Sequence, residues 1–334
     1  MGKMRKSILG LLLVVAMTVG LMPGIAPQKA QASAVSTHGQ LKVKGGHIVD
    51  KKGKVFVIKG VSTHGLAWFP QYVNKSSFAS LKKMGVNTVR LAMYTEEYNG
   101  YCTGNVANRT ALKKKIDTGV KLAKQLGMYV IIDWHILSDG NPLKHLSEAK
   151  KFMKEVASKY KNEKHVLFEI CNEPNGGEGT WTNIRKYAKS VIKTIRSVNK
   201  KAIIIVGTPT WSQDVDQAAA KPLSGSNIVY AFHFYAATHT QYMRDKLEGA
   251  LKKKLPVLVT EFGLSEASGN GNISTSEGNK WFTLLDKYKV GRVCWNLSNK
   301  NETCALLKPS CKKTGNFKTS DLTKQGRWLV KKYK

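Results

Sequence analysis

Eight short apolar segments alternate with amphipathic stretches along this chain of 334 residues. The short segments have the length and composition of buried strands, and the stretches between them carry apolar residues at helical spacing. Strands that alternate with helices favour a parallel sheet, and eight such units predict an α/β fold of the (β/α)8, or TIM, barrel type. The predicted strands are Val55–Val61, Thr88–Ala92, Tyr129–Trp134, Val166–Ile170, Ala202–Val206, Ile228–Phe232, Val257–Thr260 and Arg292–Trp295.

A short β-hairpin is predicted ahead of the barrel. Residues 41–58 contain the turn signals Gly45-Gly46 and Lys51–Gly53, and Val55–Ile58 is strand-like. The alternative to a barrel is a doubly wound open sheet. The sequence contains neither the Gly-rich fingerprint nor the phosphate loop that such sheets use for nucleotides, which favours the barrel.

The first 32 residues have the pattern of a secretory signal peptide. A basic start is followed by the apolar stretch Ile8–Leu21, and Ala30-Gln31-Ala32 offers small residues around a cleavage point. An uncleaved membrane anchor is the alternative, but the apolar stretch is short. We therefore expect an exported, extracellular protein in which residues 33–334 form a single domain, with no appended binding module and no membrane contact after cleavage.

The net charge of +32 raises the question of a nucleic-acid partner. Four positive charges lie in the predicted signal peptide, which leaves +28 on the rest. The lysines are spread through helical segments such as Leu112–Ile116 and Leu251–Leu255 rather than gathered beside aromatic residues. This distribution argues against specific nucleic-acid binding, and favours a solvated basic surface with nonspecific attraction to anionic cell-wall polymers.

The chain has five cysteines and is expected to be exported. Because five is an odd number, at least one cysteine has no intramolecular disulfide partner. Cys304 and Cys311 close a short loop and would pair if they come within reach. Cys171 and Cys294 lie in predicted strands and are expected to be buried thiols, whereas Cys102 is unassigned. Because the chain has no Cys-x-x-Cys pair, a thiolate zinc site is not expected.

Polar and aromatic residues stand at the C-terminal ends of nearly all the predicted strands. In a barrel these ends meet at one mouth, which is where active sites are built. In strand order the residues are His64, Arg90, Asp133-Trp134-His135, Asn172-Glu173, Trp211, His233-Phe234-Tyr235, Glu261 and Trp295. Any one of them alone would be an ordinary core residue more often than not, but chance does not readily place the whole set at one end.

Two of these strand ends deliver a carboxylate. In Val166–Pro174 a mostly apolar run is followed by Asn172-Glu173. In Leu255–Gly263 a similar apolar run is followed by Glu261. Glycoside hydrolysis needs a pair of carboxyl groups, one as acid/base and the other as nucleophile or base. The two strands therefore indicate an active site of this kind.

The chain resembles glycoside hydrolase family 5, in the cellulase subfamily of bacterial secreted endo-β-1,4-glucanases. The resemblance runs in order from Gly39 to the end of the chain. The segments that carry it are His64–Leu66, Asn87–Leu91, Val130–Ser138, Glu169–Asn175, Ala231–Tyr235, Val259–Gly263 and Cys294–Ser298. The Asn-Glu-Pro motif in its strand context is specific for the family.

The resemblance implies a role for each matching residue. Glu173 would be the acid/base and Glu261 the nucleophile of a retaining double displacement, with Asn172 holding the 2-hydroxyl of the sugar. Arg90 and Tyr235 would hydrogen-bond the nucleophile. We expect the nearby carboxylate to raise the pKa of Glu173, and Arg90 to lower the pKa of Glu261.

The resemblance also implies sugar contacts along a cleft. These are His135 and His233 at the cleavage subsite, Trp295 as the stacking floor, His64 one subsite further out, Lys300 and Glu302 at distal sugars, and Trp68, Trp181 and Trp211 as outer platforms. The implied substrate is a β-1,4-glucan, the implied cofactors and metals are none, and a monomer is expected.

Four alternatives stay open. Family 5 also contains mannanases and xylanases. A catalytically inactive carbohydrate-binding relative would share the fold. A basic nucleic-acid- or wall-binding protein would have no use for the polar strand ends. A metal hydrolase could use His135, His233, His239 and Asp133, although no helix carries a His-x-x-x-His pair.

Overall fold

The computed structural model describes residues 33–334, so the predicted signal peptide lies outside the described residues. The strands are β1 Lys42–Lys44, β2 His47–Val49, β3 Lys59–Thr63, β4 Thr88–Tyr94, β5 Tyr129–His135, β6 Val166–Glu169, β7 Ile204–Val206, β8 Ile228–Tyr235, β9 Val257–Gly263 and β10 Arg292–Leu297. The helices are α1 Ala34–His38, α2 Lys75–Lys83, α3 Val106–Leu126, α4 Leu146–Lys159, α5 Trp181–Arg196, α6 Pro209–Ser212, α7 Val215–Ala220, α8 Gln241–Lys252, α9 Thr275–Lys287 and α10 Lys324–Tyr333, with 3-10 turns at Pro70–Tyr72 and Thr319–Asp321. Among these helices none has both the length and the apolarity to cross a membrane.

Strands β3 to β10 close into a barrel in which each strand pairs in parallel with the next one along the chain, and β10 returns to β3. The register is regular on one side, where Arg90 of β4 lies opposite Ile131 of β5 and Ile131 lies opposite Leu167 of β6. The predicted (β/α)8 barrel is confirmed.

The predicted hairpin is confirmed as β1 and β2, which pair antiparallel across Gly45 and Gly46. Both glycines have positive φ, 59° and 81°, which a tight hairpin turn requires. The prediction that Val55 begins the first barrel strand is wrong. Asp50 accepts hydrogen bonds from the backbone of Lys52 and Lys54 and closes a second turn, so Val55 forms only an antiparallel bridge back to the hairpin.

Side chains along each strand alternate between the barrel interior and the helices, as the pleat of a strand requires. On β5, Tyr129 and Ile131 pack in the interior with the hairpin, whereas Val130 and Ile132 pack outward against the helices. The next inward positions are polar. The apolar packing of the lower barrel therefore gives way to a polar mouth at the C-terminal ends of the strands.

Candidate active site

An open cleft of about 650 Å³ lies at the C-terminal mouth of the barrel. Of the residues predicted for the site, those lining the cleft are His64, His135, Glu173, His233, Tyr235, Glu261, Trp295, Lys300 and Glu302. Arg90 and Asn172 are fully buried and lie directly beneath it, in hydrogen-bond contact with each other. The structure therefore brings all eleven predicted residues to one place.

Glu173 and Glu261 face each other in the cleft. Glu173 follows β6 and Glu261 lies in β9, on opposite sides of the barrel. A carboxylate oxygen of Glu173 and one of Glu261 lie within 4.8 Å of each other and of a ring nitrogen of His233. Both side chains are almost buried, with 9% and 5% of their surface exposed, so their mutual influence is weakly screened by water.

Glu261 is held through both carboxylate oxygens. The Tyr235 hydroxyl donates to Oε1 at 2.7 Å, and Arg90 Nη1 lies 3.4 Å from Oε2. Arg90 lowers the pKa of Glu261 as predicted, but burial and the neighbouring Glu173 outweigh it and raise that pKa to about 7. The predicted effect of Arg90 is therefore present, but desolvation, which disfavours the charged form, dominates the net shift.

Glu173 is paired with His233, whose Nδ1 lies 2.8 Å from Oε1. Burial raises the pKa of Glu173 to about 8, with contributions from the carboxylates of Asp133 and Glu169. Burial lowers the pKa of His233 to about 4, so its ring is neutral at neutral pH. Glu173 is thus a carboxyl group whose surroundings favour its protonated form.

Arg90 connects the strands next to Glu173 and Glu261 to a buried layer of carboxylates. Its Nε donates to Glu169 Oε2 at 2.7 Å, and its Nη2 lies 3.0 Å from Asp133 Oδ2. Asp133 also contacts His135 Nδ1 and so orients that ring. Sequence reasoning did not assign Glu169 a role. The sequence does contain a signal for such a role, since Glu169 is a carboxylate within the otherwise apolar predicted strand Val166–Ile170. In the structure Glu169 lies opposite Asp133 at the last paired residues of β6 and β5.

Asn172 is fixed in orientation by two hydrogen bonds. Its Oδ1 accepts from Arg90 Nη2 at 2.6 Å, and its Nδ2 donates to the backbone oxygen of Ile136 at 3.0 Å. An amide nitrogen carries two N–H groups, so a second donor remains for a ligand above it.

Aromatic side chains form one side of the cleft. Trp295 stacks on His135, with ring centroids 5.3 Å apart and planes within 16° of each other. His64 packs against both Trp295 and Trp68. Tyr94, which sequence reasoning missed, lies on the cleft wall with its ring edge-on to His135 at 4.2 Å. Its position at the end of β4 is the signal that could have identified it.

Two of the three predicted outer platforms lie in the cleft. Trp68 and Trp211 line it and are 39% and 44% exposed. Trp181 was wrongly predicted. It begins α5, is only 7% exposed, donates its indole N–H to the backbone of Lys221 and packs on Tyr230, so it is a core residue.

The loop after β10 supplies the charged edge of the cleft. Lys300 Nζ lies 2.6 Å from Glu302 Oε2 and 5.9 Å from the centre of the Trp68 ring. Cys304 lies beneath, with its thiol 3.3 Å from Glu302 Oε1. All five cysteines are free thiols, so the disulfide considered between Cys304 and Cys311 is not present.

Comparisons with known proteins agree with this geometry. Residues 49–301 match the cellulase family, glycosyl hydrolase family 5. The chain belongs to glycosyl hydrolase family 5. It is therefore a glycoside hydrolase, and the family resemblance of the sequence is confirmed.

Several known proteins resemble this chain over most of its length. It is 44% identical to endoglucanase A of Butyrivibrio fibrisolvens over 88% of this chain and 68% of that protein. It is 45% identical to an endoglucanase of Clostridium saccharobutylicum over 98% of this chain and 72% of that protein. The catalytic domain of Thermobifida fusca endoglucanase Cel5A, solved in complex with cellotetraose, is 34% identical, with a TM-score of 0.85 over 90% of this chain and 99% of that one.

Phe262 follows Glu261 in β9 of this family 5 chain. Phe262 is buried behind Glu261, stacked on Phe234 at 5.4 Å and edge-on to Phe282 at 5.5 Å. Aromatic pairs in these arrangements are favourable beyond the area that they bury. These contacts form a packed wall behind the carboxylate.

Glu173, His233 and Glu261 are close enough together to hold a cation as well as a substrate. His239, considered as a metal ligand, accepts a hydrogen bond from the backbone of Tyr235 through Nδ1. The absence of a metal from the reaction of this family 5 enzyme stays a prediction. Activity that persists in excess chelator is its test.

Proposed function

We propose that this family 5 enzyme is a secreted endo-β-1,4-glucanase that cleaves its substrate with retention of anomeric configuration. The observation that carries the proposal is the approach of Glu173 and Glu261, whose carboxylate oxygens lie within 4.8 Å. Retaining enzymes hold their carboxyl groups about 5–5.5 Å apart, whereas inverting enzymes leave about 6.5–9.5 Å for a water. The shorter separation favours direct attack by a carboxylate.

In the first step Glu261 attacks the anomeric carbon while Glu173 gives its proton to the departing glycosidic oxygen. The carbon–oxygen bond to the leaving sugar breaks as the bond to Glu261 forms, which leaves a glycosyl-enzyme and an ionised Glu173. In the second step Glu173 takes a proton from water, and the resulting hydroxide displaces Glu261. Both carboxyl groups then return to their starting states.

The surroundings of the pair suit these two roles. Tyr235 and Arg90 donate to Glu261, which favours its ionised form, whereas Glu173 faces neutral His233 and two carboxylates in the buried layer. The second N–H of Asn172 is the proposed donor to the sugar 2-hydroxyl, a contact that strengthens in the transition state. Trp295 offers its flat face to the sugar in the cleavage subsite.

The proposed substrate is an internal β-1,4-glucan segment. An open cleft accepts the middle of a polymer, and Trp68 and Trp211 extend its aromatic surface beyond the catalytic pair. The similar proteins from Butyrivibrio and Clostridium are named endoglucanases, which supports glucan over mannan or xylan.

Two measurements test the proposal. The initial anomer released from a cello-oligosaccharide, followed by proton NMR before mutarotation, should be the β-anomer. Viscosity of carboxymethylcellulose should fall much faster than reducing ends appear, as internal cleavage requires. A mannan or xylan turned over faster than the glucans would favour the alternative specificity, and no turnover of any polysaccharide would favour an inactive binding protein.

Export and the basic surface are separate parts of the proposal. The pattern in residues 1–32 supports cleavage after Ala32, which N-terminal sequencing of the protein in culture medium tests. The +28 charge of the remaining residues would draw the enzyme to anionic wall polymers. Because salt screens charges over about 8 Å at physiological strength, wall binding should weaken across a salt series. Turnover of a neutral oligosaccharide should stay constant across the same salt series. A turnover that declines together with wall binding would indicate that the basic surface takes part in the active site.

A further inference from the structure

Strand β9 carries one extra residue relative to both of its neighbours. Against β8, Phe232 pairs with Val259 and His233 pairs with Glu261, which leaves Thr260 without a Cα partner. The pairing with β10 is also irregular over this part of β9. This is a β-bulge, a device that redirects side chains and is common beside active sites.

The bulge turns two consecutive side chains to the same face. Val259 and Phe262 both pack outward against the helices. Between them, Thr260 and Glu261 are buried and make hydrogen bonds with residues of β8 at the barrel mouth. A regular strand would send consecutive residues to opposite faces. The bulge is therefore what places a hydroxyl next to the proposed nucleophile.

The Thr260 hydroxyl continues the hydrogen-bond chain that reaches Glu173. Thr260 Oγ1 lies 2.8 Å from His233 Nε2, and His233 Nδ1 lies 2.8 Å from Glu173 Oε1. In a neutral imidazole one nitrogen donates and the other accepts, so the direction of the hydrogen bond between Thr260 and Nε2 is linked to whether the Nδ1 that faces Glu173 carries a proton.

We propose, on the basis of the function proposed above, that Thr260 donates to His233 Nε2 and thereby holds the ring proton on Nδ1. In that tautomer Nδ1–H donates to Glu173 Oε1, and the acidic proton of Glu173 resides on Oε2, where it can pass to the glycosidic oxygen. In the opposite tautomer the Nδ1 lone pair accepts the Glu173 proton and draws it away from the substrate. Thr260 is thus a positioning residue for the acid/base.

Other charged and titratable groups also face the hydrogen bonds that join Thr260, His233 and Glu173, and they influence where the protons lie. They are Arg90, Asp133, His135, Glu169 and Glu261, together with the phenols of Tyr94 and Tyr235. Replacement of Thr260 by valine changes none of them and nearly preserves the side-chain shape. The comparison therefore isolates the hydroxyl.

The test compares Thr260→Val with the wild type on two substrates. Cleavage of cellotetraose needs a general acid, whereas cleavage of dinitrophenyl cellobioside does not, because its leaving group is already stable as an anion. We expect kcat/KM for cellotetraose to fall on the order of tenfold or more, which is part of the factor of about 10² to 10⁴ that a general acid contributes. The value for the dinitrophenyl substrate should stay near that of the wild type, and the alkaline limb for cellotetraose should move to higher pH.

Two variants control this comparison. Thr260→Ser keeps the hydroxyl and should restore cellotetraose cleavage. Thr88→Val removes a buried hydroxyl from the far end of β4, whose partner among residues 33–334 is Asn87, and should leave the cleavage of both substrates unaffected. Equal losses on both substrates in Thr260→Val, or a Thr260→Ser variant as slow as the valine variant, would overturn the proposal.

Nitrogen NMR of the wild type with labelled histidine reads the tautomer of His233 in the unaltered site. The His233→Asn variant serves only to assign the His233 signals. A protonated Nδ1 and a bare Nε2 are expected, and the reverse would overturn the role of Thr260. Glu173→Ala separates this proposal from the proposed function. If kcat/KM of Glu173→Ala falls equally for both substrates, Glu173 is not the acid and the proposed function fails. If Glu173→Ala keeps kcat/KM for the dinitrophenyl substrate but Thr260→Val does not, only the role of Thr260 fails.

Discussion

The hydroxyl of Tyr235 donates a 2.7 Å hydrogen bond to Glu261 Oε1 across the pairing of β8 with β9. Glu261 is otherwise in a site that disfavours its charge, since it is buried and faces Glu173. The phenol is therefore one of the few groups that keep this carboxylate ionised and aimed. In the proposed mechanism it must also release that hydrogen bond, in part, when Oε1 or Oε2 becomes an ester oxygen.

Replacement of Tyr235 by phenylalanine removes only this donor. Because the hydrogen bond lowers the pKa of Glu261, its loss should raise that pKa, and the acid limb of the kcat/KM profile should move to higher pH. At neutral pH kcat should fall on the order of 10- to 100-fold, or about 1.4 to 2.8 kcal/mol. A pH–rate profile measures both effects. Tyr242→Phe, at a phenol that is 57% exposed, is the matched control. An acid limb that does not move would contradict the role of Tyr235.

Arg90→Lys keeps a charge but loses the fork that reaches Glu169, Glu261 and Asn172 at once. We expect slower turnover and a loss of unfolding free energy, with Arg90→Ala losing roughly 3–5 kcal/mol because buried carboxylates are left without their partner. Urea denaturation and kinetics measure the two effects. Arg109→Lys, at an arginine whose hydrogen bonds within the described part of the chain go to backbone oxygens, should change neither turnover nor stability. A fully stable Arg90→Ala would show that the carboxylates below the cleft are protonated and need no cation.

Trp295→Ala removes the proposed floor of the cleavage subsite. The expected result is a higher KM and a lower kcat together, since in the proposed mode of binding the indole contacts the sugar both before and during the reaction. Trp295 is nearly buried, so the unfolding free energy should also fall, on the order of 3 kcal/mol. Trp295→Phe keeps a flat ring and should recover most of the activity and most of the unfolding free energy. Unchanged KM and kcat in a folded Trp295→Ala would place the sugar elsewhere.

Glu173→Gln should stabilise the fold at alkaline pH while it abolishes cleavage of oligosaccharides. The pKa of Glu173 is raised from 4.5 to about 8, so the folded state binds a proton that the unfolded state has already lost between these pH values. Stability therefore declines as pH rises through this window. The amide cannot ionise and avoids the decline. Melting temperatures from pH 4 to pH 9 should diverge as pH rises; a constant difference across this range would contradict the raised pKa.

Most of the fold was predictable, because strand alternation and helical spacing are local patterns. Thr88, Tyr129, Val166, Ile228 and Val257 begin strands as the sequence indicates. The start of the first barrel strand was not predictable, because Val55–Ile58 has strand composition and only the turn at Asp50 keeps it out of the barrel. The bulge in β9 left no local signal either, since no glycine marks it.

The candidate site was predictable where strand ends carry polar residues. It was not predictable where a role depends on side-chain direction. Trp181 has the same composition signal as Trp211, and only packing separates a core residue from a cleft residue. Gln325 comes from α10, far along the chain, yet its buried amide bonds the backbone of Leu264, just after β9, and of Trp295 in β10. Tertiary contacts of this kind are not encoded in sequence spacing.

The central claim is that Glu261 forms a covalent bond to the sugar. A cellobiosyl fluoride in which fluorine replaces the 2-hydroxyl slows both steps but leaves with fluoride, so the glycosyl-enzyme should accumulate. Mass spectrometry of the intact protein should show one added cellobiosyl group, and peptide mapping should place it on Glu261 in Val257–Gly263. Glu261→Gln should take up no label. A label on Glu173 or elsewhere, or inactivation without any added mass, would contradict the account.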